Sequence, residues 1–299
     1  MVYVKILNKS KIVISFVLLS LCVLTYISVN RYIEDYTSEF IDKTLYSSVL
    51  NESRKIFIRL PKNYDKSKAY PLIIKTDGNF NLSRWDESIS RLSTQRKIED
   101  SIVVAIPNLF WTDSRNRDLV PPYARRNVNI EARPLTDNDP SIFGRADLFL
   151  QFIETEVLPY IESTYLINQN RVLSGFSAGG SFVLYAIVTN PNLFTGYFAF
   201  SPAAWYDNSV VVDEFKKQLV YLNNKTQGRA IFLYLSLGEA ENDIITGSFK
   251  GLLSAIEMNG PESLYVVSRY SKNAEHVDNP YISVPLALEA YYSFKRQKM

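Results

Sequence analysis

Short β-branched or aromatic runs alternate with longer amphipathic ones along most of this chain, and that alternation leaves few folds open. The strand candidates are Lys55–Leu60, Pro71–Thr76, Ser101–Pro107, Arg171–Ser174, Gly196–Phe200, Ala230–Leu237 and Ser263–Tyr270. Several are apolar almost throughout, as strands covered on both faces must be. Between them the spacing predicts helices over Asp147–Ser163, Ala178–Thr189, Val211–Leu222, Gly247–Met258 and Val284–Arg296. In the first of these, Phe149, Leu150, Ile153, Val157 and Ile161 form an apolar stripe, and Pro159 is expected to kink or shorten the helix. Such an order implies an α/β protein with a mostly parallel central sheet and helices on both faces. With 46% apolar residues in 299, the chain has enough material for one large core.

The N-terminus reads differently. Lys5, Lys9 and Lys11 precede an uncharged apolar run, Ile12 to Val29. Its length, roughly 18 residues, is near the lower limit for a membrane span. The basic leader holds that end in the cytoplasm. Residues 1–31 are therefore expected to be an uncleaved signal anchor, with a cleaved signal peptide as the alternative. The polar stretch 32–50, with Glu34, Asp35, Glu39 and Asp42, reads as a linker, leaving 51–299 as the folded domain. That domain should be exported, periplasmic or at the cell surface, and tethered to the inner membrane. A net charge of +2 with scattered signs gives no reason to expect a nucleic acid partner. One cysteine, Cys22, permits no internal disulfide, and a single histidine nearly excludes an ordinary zinc site.

The sharpest local signal is Gly175-Phe176-Ser177-Ala178-Gly179-Gly180, between a strand candidate and a helix candidate. This G-x-S-x-G pattern places a serine on a tight strand-to-helix bend, with glycines where strand and helix come close. A serine hydroxyl needs a base, and the chain has one histidine, His276, after the last strand candidate. A carboxylate should hold that imidazole, and Glu239, Glu241 and Asp243 all come after the strand ending near Leu237. Spacing does not choose among the three. The order serine, acid, histidine is that of the α/β-hydrolase fold. An oxyanion hole needs two backbone N–H donors. Ala178, after the serine, is one, and the loop Thr76–Phe80 is the candidate for the other.

Further landmarks appear in order along the domain: Tyr70-Pro71, Asp77-Gly78-Asn79, Ile106-Pro107-Asn108, Arg115 and Arg117-Asp118-Leu119, then Gly144 to Leu150 and Leu158-Pro159-Tyr160-Ile161. After the Gly175–Gly180 bend come Pro191, Phe194, Ser201-Pro202-Ala203-Ala204-Trp205-Tyr206-Asp207-Asn208, Gly238, Glu241 and His276. From about 51 to 296 the chain resembles the esterase D family of α/β-hydrolases, in its branch of enterochelin-esterase-like and secreted esterases. The resemblance implies that the acid is Glu241, with Asp243 in reserve. It implies an oxyanion donor from Gly78 or Asn79, and substrate contacts from Trp205 and Arg115. Phe176 departs from the family, which often has histidine there. No cofactor or metal is implied.

Together these features predict a serine esterase acting through an acyl-enzyme on a small-molecule carboxylic ester. Arg115, Arg117 and Trp205 would suit a siderophore of the catecholate trilactone kind. Two alternatives remain open: an acyltransferase using a sugar or lipid hydroxyl, and a non-catalytic binding protein of the same fold.

Overall fold

A computed structural model describes residues 13–26, 40–108, 113–124 and 143–298. The chain divides into two compact units, Met1–Glu39 and Phe40–Met299. In the first, the described residues 13–26 are helical, α1. Among the described residues no helix is long and apolar enough to cross a membrane. The expected inner-membrane anchor is therefore not supported. The basic leader, Ile12 and residues 27–31 lie outside the described residues.

The second unit contains β1 (Phe40–Ser47), β2 (Glu52–Arg59), β3 (Tyr70–Lys75), β4 (Ile102–Ala105), β5 (Ile167–Phe176), β6 (Gly196–Phe200), β7 (Ile231–Gly238) and β8 (Leu264–Ser271). They form one sheet in the order β1-β2-β4-β3-β5-β6-β7-β8. The first two pairings, β1 with β2 and β2 with β4, are antiparallel and the rest are parallel. Eight residues of the stretch expected as a linker are thus strand: Phe40 pairs with Arg59 and Ser47 with Glu52. As an edge strand, β1 is exposed along most of its length, so it folds without the apolar run that marks a central strand.

Alternate strand residues feed two separate cores. Leu72, Ile74, Val104, Tyr197, Leu233 and Leu235 face one side, with Phe149, Phe182, Phe215 and Phe249. Ile73, Val103, Phe198, Phe232 and Tyr234 face the other, with Trp85, Ile89, Leu288 and Tyr291. The first side is covered by α4 (Ala146–Phe152), α5 (Leu158–Thr164), α6 (Ala178–Thr189), α7 (Tyr206–Thr226) and α8 (Asp243–Asn259). The second is covered by α2 (Leu82–Thr94) and α9 (Asn279–Lys298). A short helix, α3 (Asp113–Leu119), lies between β4 and α4 in sequence.

Two departures have local causes. The helix expected over Asp147–Ser163 is broken into α4, a π-helical turn at Ile153–Val157, and α5 with proline in its first turn. Pro159 has no N–H for the carbonyl one turn back, and the ladder widens just before it. Helix α2 has no counterpart among the expected elements. Leu82, Trp85, Ile89 and Leu92 give it a buried stripe, but its neighbours are polar and its Asn81 cap makes no side-chain bond.

The strand β5 meets α6 at the closest backbone approach in the sheet's centre: a Cβ at Gly175 would lie 2.1 Å from the Gly179 carbonyl oxygen. Gly175→Ala should therefore destabilise the fold by about 3 kcal/mol, roughly 6–12 °C in Tm by thermal denaturation. Gly247→Ala, at a position in α8 where a Cβ meets nothing within 4 Å, should instead stabilise by about 0.5–1 kcal/mol. Similar shifts for both would refute the close approach.

Candidate active site

Ser177 is the single residue between the end of β5 and the start of α6, and its φ of 56° with ψ of −115° is disfavoured for any residue with a Cβ. The surroundings over-determine that conformation. Its N–H donates to the Phe200 carbonyl at 3.0 Å, and its own carbonyl accepts from Ala203 at 2.9 Å and Ser181 at 3.1 Å. The result is a half-buried hydroxyl at the carboxyl edge of the sheet and the positive end of α6. Ala178, the first residue of that helix, has an N–H with no intrahelical acceptor.

The loop after β3 faces the same edge, and its amides are nearly all engaged. Thr76 donates to Ser174, Asp77 to the Asn108 side chain, Gly78 to Ile106 and Phe80 to Asp77. The expected oxyanion donor Gly78 is thereby corrected: its N–H is spent at 2.8 Å on β4's end, against which a Cβ would come within 2.6 Å of backbone. The Asn79 amide, next in the chain, has no backbone partner among the described residues.

Arg115 sits beneath this loop. Its Nε and Nη2 donate to the two Asp77 oxygens at 2.7 and 2.8 Å, and Nη2 also reaches the Phe176 carbonyl at 3.3 Å. Burial lowers the guanidinium pKa, but the charge and hydrogen bonds of Asp77 outweigh it and leave it raised. The side chain expected to touch substrate is instead buried in an ion pair that ties the Asp77 loop to the residue before Ser177. Arg117 is likewise engaged, with Glu52 and Asp118. A buried ammonium, Lys75 Nζ, donates to the Thr76 and Asp77 carbonyls at 3.1 and 2.7 Å.

His276 lies in the turn between β8 and α9. Its Nδ1 is 2.6 Å from Glu241 Oε2, which leaves Nε2 as the nitrogen for proton exchange. The Glu241 side chain is fully buried; its Oε1 accepts from Gly238 N–H at 2.7 Å and Ser201 Oγ at 2.5 Å. The other two carboxylates are elsewhere. Glu239 is exposed and accepts from the Asn273 amide, and Asp243 is exposed in the first turn of α8. The imidazole ring packs 4.7 Å from the ring of Phe176, which directly precedes Ser177, and 6.2 Å from that of Trp205. Phe80 stacks on Phe176 at 5.4 Å and meets Tyr281 edge-on at 5.6 Å. The sole imidazole and the strained serine thus share one aromatic-lined edge.

Ser201, Asn279 and Tyr281 belong to this constellation although the sequence assigns none of them a role, and Asp77 and Phe80 enter the sequence reading only as part of the Thr76–Phe80 loop. Ser201 opens the Ser-Pro-x-x-Trp segment and Asn279 comes three residues after His276, but neither type announces itself in a single chain. A cavity of about 590 Å³ lies at the opposite edge, beside Tyr70, Ser90 and Tyr292, and contains none of these groups. Among the described residues no cluster of three His, Cys, Asp or Glu could hold a metal ion.

The Esterase family model matches residues 47–246, a span that holds Ser177 and Glu241 and stops short of His276. Ferri-bacillibactin esterase BesA of Bacillus subtilis is 27% identical over 262 residues, covering 78% of this chain and 89% of that protein. The siderophore enterobactin esterase of Emericella nidulans is 31% identical over 188 residues, 58% of this chain and 59% of its own. Among solved structures, an IroE-like serine hydrolase from Shewanella oneidensis superposes with a TM-score of 0.75 at 24% identity, over 85% of this chain and 80% of that one. A match across two thirds of the sequence, on a sheet of this order, settles the matter: the chain belongs to the Esterase family of α/β-hydrolases and is an enzyme of carboxylic-ester hydrolysis.

Proposed function

We propose that Ser177 is the nucleophile, His276 the general base and Glu241 the acid that orients it. The observation that carries this reading is the 2.6 Å contact of His276 Nδ1 with buried Glu241 while the same ring packs on Phe176, next to Ser177. Nε2 takes the Ser177 proton as Oγ attacks the ester carbonyl. The developing oxyanion is held by the N–H groups of Ala178 and Asn79. The tetrahedral intermediate collapses as the alcohol departs with the proton from His276, and water then cleaves the acyl-enzyme by the reverse transfers. Arg115, through Asp77, keeps the Asn79 loop aimed at that oxygen.

We propose a siderophore ester of the catecholate trilactone kind as the substrate. Two relatives bear siderophore-esterase names, and the rings of Phe80, Phe176, Tyr281 and Trp205 around the imidazole would suit a flat aromatic acyl group. The basic leader and apolar run of the N-terminus support export of the domain.

Ser177→Ala and His276→Ala should each lower ester turnover by about 10⁴–10⁶ without unfolding the protein, and Ser177→Ala should abolish fluorophosphonate labelling. Glu241→Gln should cost about 10⁴ in kcat, while Asp243→Asn stays near wild type; the reverse order would move the acid. Against a panel of esters, a cyclic catecholate trilactone should exceed simple aliphatic esters in kcat/KM by about 100-fold or more, on the order of the discrimination that a few matched contacts provide. Preference for the aliphatic esters would remove the siderophore reading. A reporter fused after residue 299 should be found outside the cytoplasm on fractionation, and cytoplasmic retention would refute export.

A further inference from the structure

Glu241 does not stand alone. Beneath it lies a buried hydrogen-bonded cluster whose hub is Asn279, the first residue of α9, with no solvent exposure. Asn279 Nδ2 donates to Ser201 Oγ at 2.7 Å and to Ser236 Oγ at 3.0 Å. Its Oδ1 accepts from Ser271 Oγ at 2.6 Å and Ser283 Oγ at 2.8 Å. Both protons and both lone pairs of the amide are therefore used. The polarity of this hydrogen-bonded chain is set at its far end. Glu241 Oε1, 2.5 Å from Ser201 Oγ, can only accept while ionised, so the one Ser201 proton points at it. Ser201 must then accept from its other neighbour, which fixes the Asn279 amide with its nitrogen toward Ser201.

We infer that Asn279 and Ser201 are positioning residues for the acid–base pair, an inference that rests on the role proposed for Glu241. Oε1 is held by two donors, Ser201 O–H and Gly238 N–H, which leaves Oε2 turned to His276. Ser201 itself is fastened in a positive-φ conformation (φ 43°) with its N–H on the Ser236 carbonyl at 2.8 Å. The same residue also references the imidazole, because the Asn279 backbone N–H closes the His276 turn on the Glu275 carbonyl at 3.2 Å. One buried residue thus registers both partners: Glu241 through Ser201, and His276 through three residues of backbone. Asn279→Asp would present a carboxylate that competes for the Ser201 proton and turns that hydroxyl away from Glu241.

The test is a double-mutant cycle on the full-length enzyme with an activated ester. Ser201→Ala and Asn279→Asp should each lower kcat by about 10–100-fold, the worth of one hydrogen bond to a charged group, with KM within about 2-fold. On a Glu241→Gln background the further loss from Ser201→Ala should shrink to about 3-fold or less, since the carboxylate it serves is gone. A cluster serving only the fold would lower the melting temperature and act equally on both backgrounds, which would overturn the inference. So would wild-type kcat in both single variants, or failure of both to fold while Glu241→Gln folds normally. Wild-type activity in Glu241→Gln itself would sink the acid assignment. A slow Glu241→Gln beside an unaffected Ser201→Ala would sink only the positioning role.

Discussion

A side chain with a Cβ, held at φ 56° between a central strand and its helix, is the constraint on which the rest of the site depends. Such a conformation costs on the order of 1–3 kcal/mol and persists only where neighbours enforce it. Three backbone bonds at Ser177 do so, and they come from three directions: from β6 at Phe200, from the segment after it at Ala203, and from α6 at Ser181. Relaxing the serine would release all three. The hydroxyl is presented because the backbone has no alternative, and the core beneath it, with Phe176, Ala178 and Phe182 all buried, leaves no room for one.

Charge buried near that bend serves positioning as well. Arg115 and Asp77 are each almost wholly removed from water, and isolated they would be strongly disfavoured. Paired in bidentate geometry, with a third bond to the Phe176 carbonyl, they make a rigid tie between the loop after β3 and the end of β5. A buried pair of this kind is weak ground for a stability argument, since a packed apolar substitute often does as well. Its return is geometric: it fixes the backbone two residues before Asn79, the donor proposed for the oxyanion, and a donor held in place in advance costs no reorganisation when charge develops.

Much of this is legible in the chain and some is not, for identifiable reasons. The central strands show because both faces are covered, which forces continuous apolar runs; β1 does not, since an edge strand with one wet face can read FIDKTLYS and still pair over eight residues. The bend at Ser177 shows because glycine is needed at fixed offsets. The strand β7 narrows the candidate acid to three carboxylates; spacing goes no further, and it is the burial of Glu241 and its contact with His276 that set it apart from its exposed neighbours. Gly78 and Arg115 mislead for a shared reason: a sequence gives a group's identity but not its existing partners. The Gly78 amide and the Arg115 guanidinium are both already bonded within the fold. The N-terminal run is long enough by composition to span a membrane, but helix is described only over residues 13–26.

The site is also an account of strand order. Five consecutive neighbours in the sheet, β3, β5, β6, β7 and β8, deliver in turn the Asp77–Asn79 loop, Ser177, Ser201, Glu241 and His276. Strands alternate their side chains between two cores, so only the residues beyond a strand's end are free for chemistry, and parallel strands end together. The register that aligns those ends is set far from them, by which residues each core accepts. In β8, Val266 packs toward the α6–α8 side and Val267 toward α9. A slip of one residue against β7 would exchange them and carry His276 a strand rise, about 3.3 Å, from Glu241. A contact of 2.6 Å does not survive that displacement. The packing that fixes the register of β8 therefore fixes the alignment of the imidazole, and mutations deep in either core should be read as changes to the site.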